Sequence, residues 1–130
     1  MLYVGTSGWQ YKHWRLTFYP KEVPQREWLR YFSERFQTVE LNNSFYNLPE
    51  ATSFERWREE TPDDFVLAVK VSRYLTHLKR LRDPEGPVSL FMERAKHLGE
   101  KLGPVLVQLP PRMKADPQRL AAALDEFPSG

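Results

Sequence analysis

The chain has 130 residues, enough for one domain with a real hydrophobic core. Its 41% hydrophobic and 14% aromatic content excludes a disordered polar chain, and a net charge of +2 is too small to mark a nucleic-acid binder by itself. There is no cysteine, which excludes disulfides and thiolate metal sites, and no apolar run comes near the length that crosses a bilayer. The expectation is a single domain over residues 1–130, soluble and cytoplasmic, with no membrane partner and no signal-peptide pattern at its start.

In chain order, short β-rich runs alternate with helical patterns four times. Residues 2–6 are apolar, bounded by Gly5 and Gly8, and predict a first strand. Pro24 opens a helix whose apolar face is Trp28, Leu29, Phe32 and Phe36. Residues 38–42 predict the second strand, and Thr52 followed by Glu55 predicts a capping box on a short helix carrying Phe54 and Trp57. Residues 65–71 predict the third strand. Pro87, at a first helical position, opens the helix of Leu90, Phe91, Ala95 and Leu98. Residues 105–108 predict the fourth strand, and Asp116-Pro117 caps a last helix through Leu120, Ala121 and Leu124.

Strands separated by helices at this spacing pair in parallel through right-handed crossovers. A doubly wound sheet and a β/α barrel are the two architectures of this kind, and no glycine fingerprint opens the first helix. The segments after strands are long and those before them short, which suits a barrel working at the carboxyl ends of its strands. The fold class expected is α/β, a TIM-barrel-like architecture of four parallel βα units amounting to a half-barrel. The chain stops at Phe127-Pro128-Ser129-Gly130, where a fifth strand is due. It is therefore expected to be a fragment that needs a C-terminal half, or to pair with a second copy of itself.

A series of motifs adds to this reading: Gly5-Thr6-Ser7-Gly8-Trp9, Phe18-Tyr19-Pro20, Val39-Glu40-Leu41-Asn42, Phe45-Tyr46, Leu48-Pro49, Trp57, Thr61-Pro62, Lys70, Thr76-His77, Lys101-Leu102-Gly103-Pro104 and Gln108-Leu109-Pro110-Pro111. In that order they resemble the YecE-like family, also called domain of unknown function 72. The resemblance covers essentially the whole chain and corresponds to the N-terminal half of the family's domain. It implies a β/α barrel similar to triosephosphate isomerase and, since the family is uncharacterised, no particular reaction.

Polar residues inside strands are the most informative. Period two puts Glu40 and Asn42, then Lys70, then Gln108 on faces that cannot pack against apolar helices, so they are expected to point into the barrel. Burying either charge alone costs several kcal/mol, so Glu40 and Lys70 are expected to pair. They line a pocket as acid–base candidates, or they form a structural ion pair. His77, after the third strand, is the third catalytic candidate. The loop holding Trp9, Tyr11 and Trp14 interleaves aromatics with Lys12, His13 and Arg15, which suits nucleotide stacking or, alternatively, a small satellite core. Thr6 and Ser7 sit in a turn whose N–H groups could face a phosphate. With Asn42, Tyr46, Arg73 and Gln108 they complete the candidate ligand contacts.

The four segments that follow strands (7–24, 43–53, 72–86 and 109–116) carry a net +4, leaving −2 elsewhere. This favours an anionic ligand, a phosphate-bearing molecule or nucleic acid. An enzyme on a small polar metabolite using Glu40 and Lys70, and a non-catalytic structural or interaction module, are the alternatives. No histidines stand at ligand spacing and no acidic cluster accompanies them, so neither metal nor cofactor is expected.

Overall fold

Alternation in the sequence becomes alternation of faces in the sheet. The computed structural model describes residues 1–129, with strands β1 (Gly5–Ser7), β2 (Thr38–Leu41), β3 (Val66–Lys70) and β4 (Leu102–Leu106). They form one sheet, all parallel, in the order β1-β2-β3-β4 with no reversal of direction across it. Val39 and Leu41 of β2 and Leu67 and Val69 of β3 are buried, while Thr38, Glu40, Val66, Ala68 and Lys70 between them are half-buried. One face thus carries the core; the other is open.

The core side is covered by α1 (Trp28–Ser33), α3 (Ala51–Glu59), α4 (Glu85–Ala95) and, at the margin, α5 (Pro117–Asp125), with a single turn, α2 (Asn43–Tyr46), after β2. Helical spacing brings Trp28, Leu29 and Phe32 of α1, Phe54 and Trp57 of α3, and Val88, Phe91 and Ala95 of α4 into this layer. Each large side chain buried there contributes about 1.5–3 kcal/mol. No helix is long and apolar enough to cross a membrane among the described residues.

Several boundaries differ from the sequence expectation. β1 begins at Gly5 rather than at residue 2, and Met1–Val4 are exposed. At Gly5 a Cβ would lie 1.9 Å from the Thr38 carbonyl oxygen, so close β1–β2 pairing begins at a residue without one. The capping box does not form: α3 starts at Ala51 behind Glu50, which gives no side-chain cap. Arg94 sets that entry instead, donating to the Pro49 carbonyl (3.0 Å) and standing 3.3 Å from the Glu50 carboxylate. α4 starts at Glu85, so Pro87 is its third residue, where the missing N–H still costs no helical bond. β4 begins at Leu102 and leaves Gln108 beyond its end. The register slips between Leu67 and Val69, and at Gly103 a Cβ would meet Val66 Cγ1 at 2.4 Å. The last helix starts as expected, with the Asp116 carboxylate accepting from the Arg119 N–H at 3.0 Å.

Candidate functional site

The carboxyl ends of β1 and β2 carry a connected polar group. The register aligns Ser7 with Glu40, and Ser7 Oγ donates to Glu40 Oε1 at 3.0 Å. Asn42, immediately after β2, donates from Nδ2 to the Tyr11 hydroxyl (3.2 Å) and lies 3.5 Å from Ser7 Oγ. The Tyr11 hydroxyl donates in turn to the Ser7 carbonyl. Gly8 makes room for this: its φ of +81° suits glycine, and a Cβ there would stand 2.7 Å from the Tyr11 hydroxyl and 3.0 Å from the Asn42 amide. The Gly8 N–H donates to the Glu40 carbonyl at 2.9 Å, so it is not available to a phosphate as the sequence suggested.

At the end of β3 a second group forms around Phe45. The Lys70 ammonium lies 4.1 Å from the centre of the Phe45 ring, and the His77 ring stands edge-on to Phe45 at 5.0 Å. Ser44, fully buried, holds α2 in place by donating to the Lys70 carbonyl at 2.7 Å. His77 sits in a π-helical turn, Tyr74–Leu78, whose buried Thr76 puts its hydroxyl 2.7 Å from Nδ1. Burial first, and then the charges of Arg73, Lys70 and Arg80, push the His77 pKa below its usual value. The imidazole is therefore neutral at pH 7.

Glu40 and Lys70 share the face opposite the helices, as expected, but they do not pair. Glu40 is aligned with Ala68, and Lys70 with Leu106. The two charges are two residues out of step along neighbouring strands, so the ammonium finds the ring and the carboxylate finds Ser7. Among the described residues, neither side chain forms an ion pair within 4.0 Å.

The remaining candidates are scattered. Thr6 is turned into its own loop, its hydroxyl donating to the Gly8 carbonyl at 2.7 Å. Trp9 is buried edge-on against Trp57 at 5.8 Å and reaches solvent through a recess of about 140 Å³, lined also by Gln10, Tyr11, Asn42 and Asn43. Trp14 is half-buried between Tyr11 (4.9 Å) and Phe18 (5.8 Å), so the aromatics of this loop extend the core, the structural alternative raised above. Tyr46, Arg73 and Gln108 are exposed, Gln108 beyond the end of β4. Phe45, the residue joining Lys70 to His77, is not among the sequence candidates; an aromatic in the turn after a strand is the signal that points to it. No group of three or more His, Asp or Glu that could hold a metal occurs among the described residues.

A parallel sheet with helices on one face and polar side chains gathered at its carboxyl edge defines a protein of repeated βα units. The chain belongs to the family described as Protein of unknown function DUF72, whose model matches residues 3–130. It is similar to the UPF0759 protein YecE of Escherichia coli K12, 33% identical over 111 residues, covering 85% of this chain and 38% of that protein. The UPF0759 protein YunF of Bacillus subtilis is 31% identical over 118 residues, covering 40% of its length. The crystal structure of a DUF72 family protein from Thermotoga maritima superposes with a TM-score of 0.79 at 31% identity, covering 97% of this chain and 50% of that one. One from Enterococcus faecalis, 19% identical, shares the fold with a TM-score of 0.75 over 96% of this chain and 46% of its own. The chain thus spans about two fifths of the curated relatives and about half of the solved structures.

Proposed function

We propose that these four units are half of a TIM-barrel-like β/α domain, and that its carboxyl end binds a phosphate-bearing ligand. Support for the half-barrel comes from the unreversed strand order, the open face opposite the helices, and the share of the Thermotoga structure that the chain covers. The observation that carries the ligand is Lys70. Its ammonium is half-buried at the sheet's carboxyl edge with no carboxylate within 4.0 Å among the described residues, beside an uncharged imidazole able to donate a hydrogen bond. Unlike a lysine whose donors are taken up by backbone carbonyls, a cation so placed leaves its charge open to an anion from outside the chain. Phe45, against that ammonium, and Tyr46, 5.0 Å from Phe45, supply aromatic rings.

The test is binding of a labelled oligonucleotide and of nucleotides across a salt series. Affinity should fall as salt rises, and Lys70→Met should weaken it. Affinity indifferent to ionic strength would remove the reading. A second reading, acid–base chemistry on a small polar metabolite, is favoured by one feature: His77 is neutral and fixed at Nδ1. Turnover of any metabolite that survives Glu40→Gln unchanged would exclude a role for that carboxylate.

A further inference from the structure

Beyond His77 the chain builds a second cationic feature from two separate loops. Arg80 and Arg82 line a recess of about 370 Å³ together with Arg112 and Lys114, from the segment after β4. Arg119, in the first turn of α5, lines it too, beside Asp116. The single carboxylate lining it among the described residues is already engaged: Asp116 accepts the Arg119 N–H at 3.0 Å and stands 3.4 Å from its guanidinium. Arg80, Arg82, Arg112 and Lys114 have no carboxylate within 4.0 Å among the described residues. Four like charges drawn together without counter-ions repel one another, and folding alone gives no reason to assemble them.

The segment that carries Arg80 and Arg82 is also held in an uncommon conformation. Arg80, Leu81 and Asp83 have φ of 51°, 67° and 43°, a region non-glycine residues seldom enter. The fold enforces it: the Leu81 side chain is fully buried and its N–H donates to the Leu75 carbonyl at 2.8 Å, while the Arg80 carbonyl accepts from Arg119 at 3.4 Å. Left-handed backbone anchored in this way concentrates at ligand clamps. The backbone that carries Arg80 and Arg82 is therefore held in place at the edge of the recess.

We infer that this recess is a phosphate subsite, holding phosphate groups of the ligand whose remainder reaches the Lys70–Phe45–His77 group. The inference rests on the function proposed above and gives that ligand a second anchoring point. Phosphate fits better than carboxylate, because several guanidinium forks facing one volume match an oxyanion with more than one charge. Among the described residues no aromatic side chain lines the recess, so it recognises charge, and any base or ring of the ligand is met elsewhere. The phosphate could belong to a free nucleotide or polyphosphate, or to a nucleic-acid backbone.

The experiment uses the full chain, a fluorescein-labelled single-stranded oligonucleotide read by anisotropy, and pyrophosphate as competitor. The variant is Arg112→Glu with Lys114→Glu, both exposed loop residues; the matched control is Arg35→Glu with Lys96→Glu, equal in charge change and outside the recess. The recess variant should weaken binding on the order of tenfold and lower the salt slope by about 1.4, at about 0.7 per lost single-strand phosphate contact, with the control unchanged. Pyrophosphate competing in the wild type but not in the variant would identify free phosphate groups. Loss of oligonucleotide binding without pyrophosphate competition would identify a nucleic-acid backbone. Either supports the subsite. Wild-type binding that Lys70→Met weakens but the recess variant does not would overturn the subsite and leave the proposed function standing. So would equal weakening by the matched control. No binding of either probe by the folded wild type would overturn both.

Discussion

His77 shows how much one side chain can report about its surroundings. Its depressed pKa comes first from burial and then from Arg73, Lys70 and Arg80. An NMR titration should give a midpoint below the ordinary 6.5, and Arg73→Gln should move it part of the way back, because burial remains. The stability consequence follows from proton counting. Between the folded pKa and 6.5 the unfolded chain binds more protons than the folded one, so stability is complete above 6.5 and falls as pH drops from there towards the folded value. Denaturation midpoints rising with falling pH across that window would contradict this. Gly8 makes a second prediction. Gly8→Ala, forced to φ +81° and against Tyr11 and Asn42, should cost about 1–3 kcal/mol in urea unfolding. Which residues share the polar face was legible, because period two decides it for Glu40 and Lys70. Their pairing was not, because a parallel register offset by two residues cannot be read from either strand alone.

At the scale of elements, the sequence announced every strand and major helix but misjudged several ends. Apolar periodicity locates α1 and α4 because their faces must meet the sheet, whereas ends are decided by contacts far away in the chain. The entry to α3 depends on Arg94, and its exit depends on Lys101. That lysine, only 8% exposed, donates to the carbonyls of Arg58 and Thr61 and to the Thr61 hydroxyl at the close of the helix. Burial lowers its pKa, and no carboxylate stands within 4.0 Å among the described residues; it serves as a C-terminal cap. Lys101→Met keeps the stem and removes the donors. With so little solvent at the site, the orphaned carbonyls should cost about 1–3 kcal/mol each, read as a lowered denaturation midpoint. A variant as stable as the wild type would show that water takes over the cap.

At the scale of the whole molecule, the sheet is finished on one side only. Its open face sets Val66, Ala68 and Leu106 among Ser7, Glu40 and Lys70, and β1 and β4 each have one edge unpaired in the sheet. Beside the β4 edge lies an apolar recess of about 510 Å³ lined by Met92, Leu102, Val105, Val107, Leu124 and Phe127. Unpaired edges and contiguous apolar surface drive association. Polar side chains on the same face make the association weak and specific in register, because Lys70 and Glu40 resist burial against plain hydrocarbon. Residues 1–130 prepared alone should therefore sediment as a concentration-dependent mixture of monomer and larger species. Leu106→Glu should shift the mixture towards monomer, since it places a carboxylate on the open face at the edge strand. That substitution leaves the helix-side core untouched, so the cooperative melting of the monomer should persist. A chain that remains monomeric at every concentration, with a melting transition indifferent to Leu106→Glu, would mean that the open face is stable in water and needs no cover.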